Sequence, residues 1–336
     1  MPKSVMIMAT VALFIMPTSA IKLQSMSLTN SSKLQNCTWL LGDGGLQLMD
    51  AKPSVWRATV SRLEIANISC IIVWAGWWNP DHTIKYAASP TAWTQFIDTV
   101  KAVDPNFVVL ALVNGWGVDI SNSTYSTAML TAVQQLLASA PFDGLNDDLE
   151  NFTGSNQNLI DYWQAEASMV HDMGKIATVD LTVGWAYNIE DVYPYLTNFD
   201  YVMPMFYSTI ENVNALSYWN MILSNSPVPV IMGLDVDHDD VKEPFSQQLS
   251  WINEALNSSQ HSNLVGFSIW AYDYWSKNDF ATWTNWVTNG SVLSPTSTPY
   301  TPSEAIIITV TIIAVVSAAA VLWFRKIGKK STAEPK

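Results

Sequence analysis

Three polar side chains at alternate positions, Asn146, Asp148 and Glu150, have the types and spacing for acid–base chemistry. Side chains alternate between the two faces of a β-strand, so in a strand these three share one face. Two carboxyl groups held close together with little water disfavour double ionisation, and one is expected to keep its proton near neutral pH. A proton kept on Glu150 is what a general acid needs.

The position of these residues favours catalysis over the other uses of an acidic stretch. They follow the Asp143-Gly144 pair and an apolar run, which places them toward the end of a predicted strand. The alternatives are a solvated loop after the strand and a site that holds a metal ion. The choice between them depends on the elements that position the stretch.

Apolar, β-branched or aromatic runs alternate with stretches of helical periodicity along the middle of the chain. The strand-like runs are Thr38–Leu41, Cys70–Trp74, Phe107–Val113, Gly144–Leu149, Ile176–Val183, Tyr201–Phe206, Val228–Leu234 and Leu264–Trp270. The helical stretches are Thr91–Val103, Tyr125–Ala138, Asn156–Met173 and Phe245–Leu256, with start signals at Ser155 and Ser246. This alternation predicts a parallel sheet with crossover helices.

The number of strands and the length of the region predict an α/β fold of the (β/α)8 TIM-barrel class. An open doubly wound sheet is the alternative, but no glycine-rich phosphate loop follows an early strand. Active sites of such barrels lie at the C-terminal ends of the strands. Asn146, Asp148 and Glu150 fall at such an end, so we expect them at the mouth of the barrel.

The C-terminal part of the chain predicts a membrane anchor. Residues 305–324 carry no charge and are long enough for one transmembrane helix. The basic tail 325–336 is expected to stay cytoplasmic. Residues 291–303 are rich in Ser, Thr and Pro and predict an extended stalk.

The N-terminal residues 1–20 predict a secretory signal peptide, because Lys3 precedes an uncharged run and a small-residue cleavage site. An uncleaved N-terminal anchor is the alternative. With the signal removed, residues 21–290 form the predicted barrel domain. We expect this domain outside the cell, held at the cell membrane by a single span.

Composition and charge argue against two classes of protein, intrinsically disordered chains and nucleic-acid-binding proteins. A chain of 336 residues with 49% hydrophobic content can bury a core, and a net charge of −13 disfavours a nucleic-acid partner.

In an oxidising compartment Cys37 and Cys70 form one disulfide or stay as two buried thiols. Seven Asn-x-Ser/Thr sequences permit glycosylation. They begin at Asn30, Asn36, Asn67, Asn122, Asn151, Asn257 and Asn289.

Residues 142–150 resemble the strand-four signature of the glycoside hydrolase family 18, the chitinase-like barrels. That signature is an aromatic or aliphatic residue, Asp, Gly, an aliphatic residue, Asp or Asn, an apolar residue, Asp, any residue and Glu. Asp147 is the one departure, since the family has an apolar or aromatic residue there. On the helix-facing side of a barrel strand, this carboxyl must be partnered, protonated or reached by water.

Three other segments are similar to the same family. Residues 203–208 resemble its Met-x-Tyr-Asp signature, with Ser208 in place of the Asp. Residues 266–270 resemble its final strand, which ends in Trp. The third strand ends at Asn114 and Gly115, where the family has Ser-x-Gly-Gly and only the glycine is retained.

The resemblance implies substrate-assisted acid catalysis on β-linked N-acetylhexosamine glycans. Glu150 would protonate the glycosidic oxygen, Asp148 would orient the 2-acetamido group, and Tyr207 would hydrogen-bond the carbonyl oxygen of that group. In supporting roles, Asn146 would modulate the charge on Asp148, and Asp143 would be structural. No metal and no organic cofactor are implied.

Aromatic side chains near the strand ends suit a sugar cleft, because their flat apolar faces match the C–H faces of pyranose rings. By resemblance, Trp270 would stack beneath the sugar at the point of cleavage. The expected substrate contacts are Trp270, Met205, Trp116, Trp74 and Tyr272.

Two other functions stay open. A chitinase-like lectin would keep the cleft without turnover, and a barrel glycosidase of another family would use two carboxylates. In the second case Glu150 would pair with Asp235 or Asp273, and their separation would set the stereochemistry. Asp180 and Asp237 also lie near strand ends. The acidic run that begins at Asp235 lacks the glycine and terminal glutamate of a calcium loop, so we predict no metal.

Overall fold

Eight parallel strands form a closed sheet in the computed structural model, which describes residues 36–40, 50–182, 189–205, 215–237, 244–257 and 263–288. In chain order the elements are β1 Asn36–Leu40, α1 Pro53–Ile65, β2 Cys70–Trp78, β3 Ile84–Tyr86, α2 Pro90–Val103, β4 Val108–Asp119, α3 Ser123–Ser139, β5 Gly144–Thr153, α4 Asn156–Asp172, β6 Ile176–Leu181, α5 Ile189–Val192, β7 Tyr201–Pro204, α6 Ala215–Asn225, β8 Val230–Asp235, α7 Phe245–Asn257, β9 Leu264–Trp270 and α8 Lys277–Thr288. Single 3-10 turns lie at Tyr193–Tyr195 and Tyr272–Tyr274.

Strand β1 closes the barrel because it pairs in parallel with both β2 and β9. Cys37 lies opposite Cys70 on one side and Ser268 on the other. The predicted barrel is therefore confirmed, and the open doubly wound sheet is excluded. The short strand β3 was not predicted; it pairs antiparallel with the end of β2.

Apolar side chains fill both sides of this sheet, as a (β/α)8 barrel requires. The barrel interior is packed by a cluster that includes Trp39, Ile72, Leu110, Tyr201 and Met203. A larger cluster lies between the strands and the surrounding helices, and Trp93, Phe96, Phe142, Trp163 and Trp283 belong to it. The two layers show that one face of each strand is turned toward the barrel interior and the other toward the helices.

The four predicted helices correspond to α2, α3, α4 and α7, with ends that differ by a few residues. Helix α4 begins where Ser155 predicted it, because the Ser155 hydroxyl accepts the Asn158 N–H at 3.2 Å and Asn158 Oδ1 accepts the Ser155 N–H at 2.9 Å. Helices α1, α5, α6 and α8 were not predicted. In α1 the apolar residues are few, and Trp56, Val60 and Leu63 are buried only once the sheet is present.

Strand β1 answers two questions that the sequence left open. Cys37 and Cys70 are free thiols, both fully buried. Burial is the main cause that raises the pKa of the Cys70 thiol, and a hydrogen bond with Cys37 adds to the rise. Asn36 is only 2% exposed, and its amide donates to the Asn67 carbonyl oxygen at 2.9 Å, so the folded chain does not offer it for glycosylation.

The predicted signal peptide 1–20, stalk 291–303, transmembrane helix 305–324 and tail 325–336 lie outside the described residues. Within the described ranges, no helix is both long and apolar enough to cross a bilayer.

Candidate active site

Strand β5 carries the acidic stretch and is held tightly against its neighbours. A Cβ on Gly144 would lie 2.1 Å from the Ile176 carbonyl oxygen, so only glycine allows β5 and β6 to approach this closely. Just before the strand, Asp143 forms an ion pair with Lys101 at 2.7 Å and accepts the Val109 N–H at 2.8 Å. These contacts lie at the N-terminal end of β5, opposite the mouth, and anchor the strand to β4 and α2.

Asn146 lies fully buried inside the barrel, where its side chain connects three elements. Its amide donates to Thr178 Oγ1 at 3.0 Å and to Asp180 Oδ1 at 3.1 Å, both on β6. Its Oδ1 accepts from the Trp39 indole at 3.4 Å. Asn146 is thereby held in one orientation below the carboxyl groups.

Asp148 follows on the same face of β5, one level closer to the mouth. It lies opposite Asn114 in the β4–β5 pairing, and the Asn114 amide donates to Asp148 Oδ2 at 2.8 Å. The carboxyl is 3% exposed, and Oδ1 has no hydrogen-bond partner among the described residues. One oxygen is therefore fixed by Asn114, and the other is turned into the interior.

Glu150 lies where the pairing of β4 and β5 becomes irregular. Asp148 lies opposite Asn114, but Asn151 lies opposite Trp116, so β5 contains one extra residue at this point. Strict alternation ends there. Glu150 is half-buried at the barrel mouth, close enough to Asp148 for the two charges to interact.

Asp147 points in the opposite direction, toward the helix layer, as alternation requires. It is 1% exposed, and the Trp163 indole of α4 donates a short hydrogen bond to its Oδ2. The residue that departs from the family pattern thus has a polar partner. Glu166 lies in the same layer, fully buried, and its Oε1 accepts from the Tyr162 hydroxyl at 2.6 Å.

The surroundings of Glu150 and Asp148 give these two carboxyls different pKa values. Burial is the main cause that raises the pKa of Glu150 to about 8, and the charge of Asp148 adds to the rise. Burial raises the pKa of Asp148 to about 6, an effect limited by the hydrogen bond from Asn114. At pH 7 Glu150 is therefore mostly protonated and Asp148 mostly ionised.

Aromatic side chains line the barrel beside these carboxyls. Trp270, at the end of β9, packs against Trp39 with ring centroids 5.9 Å apart, and Trp39 in turn contacts Asn146. Trp74 also packs against the interior cluster and donates its indole N–H to the Gly76 carbonyl oxygen at 2.9 Å. Both predicted sugar-contacting tryptophans thus border the interior that contains Asn146 and Asp148.

The remaining predicted site residues differ in where the structure places them. Met205 is buried just after β7, with its N–H donated to the Leu181 carbonyl oxygen at 2.8 Å. Tyr272 packs on the outer cluster, and its hydroxyl accepts from Arg62 of α1 at 3.5 Å rather than contacting the acidic residues. Tyr207 and the Trp116 side chain lie outside the described part of the structure.

The structure adds residues whose roles the sequence did not indicate. Asn114 appeared only as a departure from the family pattern, yet it donates to Asp148. Asp180 was one of several competing carboxyls, and its contact with Asn146 brings it into the site. Trp39 and Trp163 have the pattern of core residues, and the sequence contains no signal for their polar contacts.

No family model matches this sequence, and no curated protein matches it. Solved structures match over the barrel. One is the catalytic domain of a family 18 chitinase from the fern Peteris ryukyuensis, with a TM-score of 0.55, 15% identity, and coverage of 76% of this chain and 98% of that chain. This chain has the fold of the family 18 chitinases and chitinase-like proteins.

Neighbours with this fold include enzymes and a lectin. A chitinase-like agglutinin from Robinia pseudoacacia matches with a TM-score of 0.53 and 13% identity, over 74% of this chain and 98% of that chain. A chitinase catalytic domain from Ostrinia furnacalis, solved in complex with penta-N-acetylchitooctaose, has a TM-score of 0.51 and 12% identity, over 77% and 97%. The sequence resemblance to family 18 is thus confirmed at the level of the fold.

Proposed function

We propose that this chain is a glycoside hydrolase of the chitinase type, acting on β-linked N-acetylhexosamine glycans by substrate-assisted acid catalysis. The observation that carries the proposal is the carboxyl pair at the barrel mouth. The pKa of Glu150 is raised to about 8 and that of Asp148 to about 6, in a barrel with the chitinase fold. The mechanism needs a proton on the first group and a negative charge on the second.

In this mechanism Glu150 gives its proton to the glycosidic oxygen, and the leaving sugar departs with it. The carbonyl oxygen of the substrate's 2-acetamido group attacks the anomeric carbon, while Asp148 accepts the N–H of that group and holds it in line. Water then attacks the anomeric carbon, and Glu150 takes a proton from the water. Two inversions leave the anomeric configuration retained. Tyr207 would stabilise the acetamido oxygen, as the sequence resemblance implies.

The surroundings of the pair suit a sugar. Trp270 and Trp74 border the barrel interior and offer apolar ring faces to a pyranose. Every step of the mechanism uses side chains of this protein, atoms of the substrate and one water molecule. The proposed reaction therefore calls for no cofactor.

A lectin is the second candidate, because an agglutinin shares the fold. It would bind the same glycans in the same cleft. The presence of both Asp148 and Glu150 favours the enzyme, because acid catalysis of this kind needs a protonated carboxyl next to an ionised one.

We also propose that the barrel is displayed outside the cell at the cell membrane. The proposal rests on the sequence of residues 1–20 and 305–336. Protease added to intact cells should remove the barrel and leave the basic tail protected. Cleavage of the tail before the barrel would contradict the proposed orientation.

The activity is tested with the full-length chain in detergent micelles and chito-oligosaccharides, with products separated by chromatography. Hydrolysis should be abolished in Glu150→Gln and preserved in Glu64→Gln, which changes an exposed glutamate on α1. Oligosaccharides without the 2-acetamido group should not be cleaved.

Three other results would contradict the proposal. Binding without cleavage by the unmodified chain would favour the lectin. Equal cleavage of substrates without the acetamido group would favour a two-carboxylate glycosidase. Activity that survives Glu150→Gln would remove Glu150 from the role of acid.

A further inference from the structure

Asp180 lies beside Asp148 on the neighbouring strand. The pairing of β5 with β6 runs in constant register from Gly144 opposite Ile176 to Asp147 opposite Val179. Continued by one residue beyond these pairs, the same register would bring Asp148 level with Asp180, and the charge of Asp148 does act on the Asp180 carboxyl. Adjacent strands lie about 4.8 Å apart, so two side chains at one level on the same face are direct neighbours. Both face the interior, with exposures of 3% and 2%.

Each of these two carboxyls has one satisfied oxygen and one unsatisfied oxygen. Asp148 Oδ2 accepts from Asn114 at 2.8 Å, and Asp180 Oδ1 accepts from Asn146 at 3.1 Å. Among the described residues, Asp148 Oδ1 and Asp180 Oδ2 are buried without a hydrogen-bond partner. Buried polar atoms without a partner are rare in folded proteins. Two on neighbouring carboxyls require an explanation.

A single proton placed between these two oxygens would satisfy both. An ionised carboxylate only accepts hydrogen bonds, whereas a protonated carboxyl also donates one. We propose that Asp180 is a positioning residue for Asp148: it carries a proton on Oδ2 and donates it to Oδ1 of Asp148. The amides of Asn114 and Asn146 then hold the outer oxygens of the pair. The consequence for turnover rests on the proposed function, but the proton itself does not.

The electrostatics agree with the proton on Asp180 rather than on Asp148. Burial is the main cause that raises the pKa of Asp180 far above its ordinary range, and the charge of Asp148 is the second cause. The other charged groups that act on it are Glu150 and Asp147, both carboxyls that also disfavour its ionisation. The position opposite Asp180 on β7 is Met203, which has no charge.

The arrangement would prepare Asp148 for its role. With one donor at each oxygen, the carboxylate stays ionised and cannot rotate. Each oxygen can still accept a further hydrogen bond, so the N–H of a substrate acetamido group can be held. Asp180 itself does not touch the substrate in this scheme.

The proton is tested without any reference to catalysis. Between the unfolded pKa of an aspartate, about 3.9, and the higher folded pKa, the folded chain binds one more proton at Asp180 than the unfolded chain does. The free energy of unfolding then decreases with rising pH. In Asp180→Asn this decrease should be shallower by about one proton. Asp161→Asn, an exposed aspartate on α4, is the matched control.

The measurement is denaturant unfolding of the full-length chain in micelles between about pH 5 and pH 7. A shallower slope in Asp180→Asn than in Asp161→Asn supports the proposal. Equal slopes overturn it. Infrared spectra of the folded proteins at neutral pH provide a second readout, since one protonated-carboxyl band should disappear in Asp180→Asn alone. Persistence of that band overturns the proposal as well.

The positioning role is tested by comparing Asp180→Leu with Asp180→Asn. Leucine removes the donor, so kcat should fall at least about tenfold, and the acid side of the pH–rate profile should move to higher pH. Asparagine can donate to Asp148 while accepting from Asn146, so it should restore most of the rate and the original profile. Equal losses in the two variants, or no loss in Asp180→Leu, would overturn the role.

The two proposals fail in distinguishable ways. If the unmodified chain does not hydrolyse chito-oligosaccharides, the proposed function fails, while the unfolding slopes still decide the protonation of Asp180. If hydrolysis requires Glu150 but the slopes of Asp180→Asn and Asp161→Asn are equal, the function stands and the shared proton does not.

Discussion

The Trp163 indole donates its Nε1 proton to the carboxylate of Asp147 across the interface between α4 and β5. Asp147 occupies the position where family 18 has an apolar or aromatic residue, and the indole gives the carboxyl a polar partner in the layer between the strands and the helices. The family pattern is therefore altered on the helix-facing side of the strand, and Asp148 and Glu150 remain at the mouth.

Asp147 should make stability depend on pH. Burial is the main cause of its raised pKa of about 7, with the Trp163 hydrogen bond opposing and the charge of Asp148 adding to the rise. The folded state keeps a proton that the unfolded state loses above about pH 4, so stability falls until the folded pKa is reached. For this carboxyl the loss is on the order of 4 kcal/mol.

The variant Asp147→Asn should remove that part of the pH dependence, and chemical denaturation at several pH values measures it. Asp98→Asn changes an exposed aspartate on α2 and is the control. An unchanged decline in stability from pH 4 to pH 7 in Asp147→Asn would show that the Asp147 carboxyl is not protonated in the fold.

Activity should follow a bell-shaped pH profile. Asp148 must be ionised and Glu150 protonated, and their pKa values are raised to about 6 and about 8. The rate constant kcat/KM should therefore be highest between these values and fall on both sides. Initial rates with a chito-oligosaccharide across this range are the measurement. A maximum below pH 5 would be incompatible with the assigned roles.

Removal of the Asn114 amide should weaken catalysis through Asp148. Without this donor the ionised form of Asp148 is less stable, so in Asn114→Ala its pKa rises and the acid side of the profile moves to higher pH. A hydrogen bond to a charged group contributes roughly 1.5–3 kcal/mol, which corresponds to a loss in kcat of about tenfold or more.

The exposed Asn278→Ala provides the comparison for this variant. Its profile should coincide with that of the unmodified chain. If Asn114→Ala also leaves the profile in place, the contact between Asn114 and Asp148 has no part in setting the charge.

Gly144→Ala should destabilise the barrel. The new Cβ would lie 2.1 Å from the Ile176 carbonyl oxygen, so β5 and β6 must separate at a cost of about 3 kcal/mol or more. Gly174 has a φ of +71° but open space around it, so Gly174→Ala should cost only about 1–2 kcal/mol. Thermal unfolding of both variants gives the comparison. Equal losses of stability in the two variants would mean that β5 and β6 can separate at little cost in free energy.

Local patterns predicted the eight barrel strands, four of the helices and the orientation of Asn146 and Asp148. Strands and helices differ in the period of their apolar residues, and that period is visible in one sequence. It indicated eight strands, four of the helices and the shared face of Asn146 and Asp148. It did not indicate β3 or the helices α1, α5, α6 and α8.

The sequence alone determined which residues could do chemistry and that Asn146 and Asp148 share a face of their strand, because alternation is a property of the local backbone. Only the tertiary structure decided their partners. Asn114 and Asp180 lie 34 and 32 positions from Asp148. The register of β4 places Asn114 opposite Asp148, and the register of β6 ends one residue before Asp180 would lie level with it. Burial in the closed barrel then raises both the pKa of Asp148 and that of Glu150, and burial results only when the whole chain folds. The Asn114 hydrogen bond limits the rise at Asp148, and the charge of Asp148 adds to the rise at Glu150.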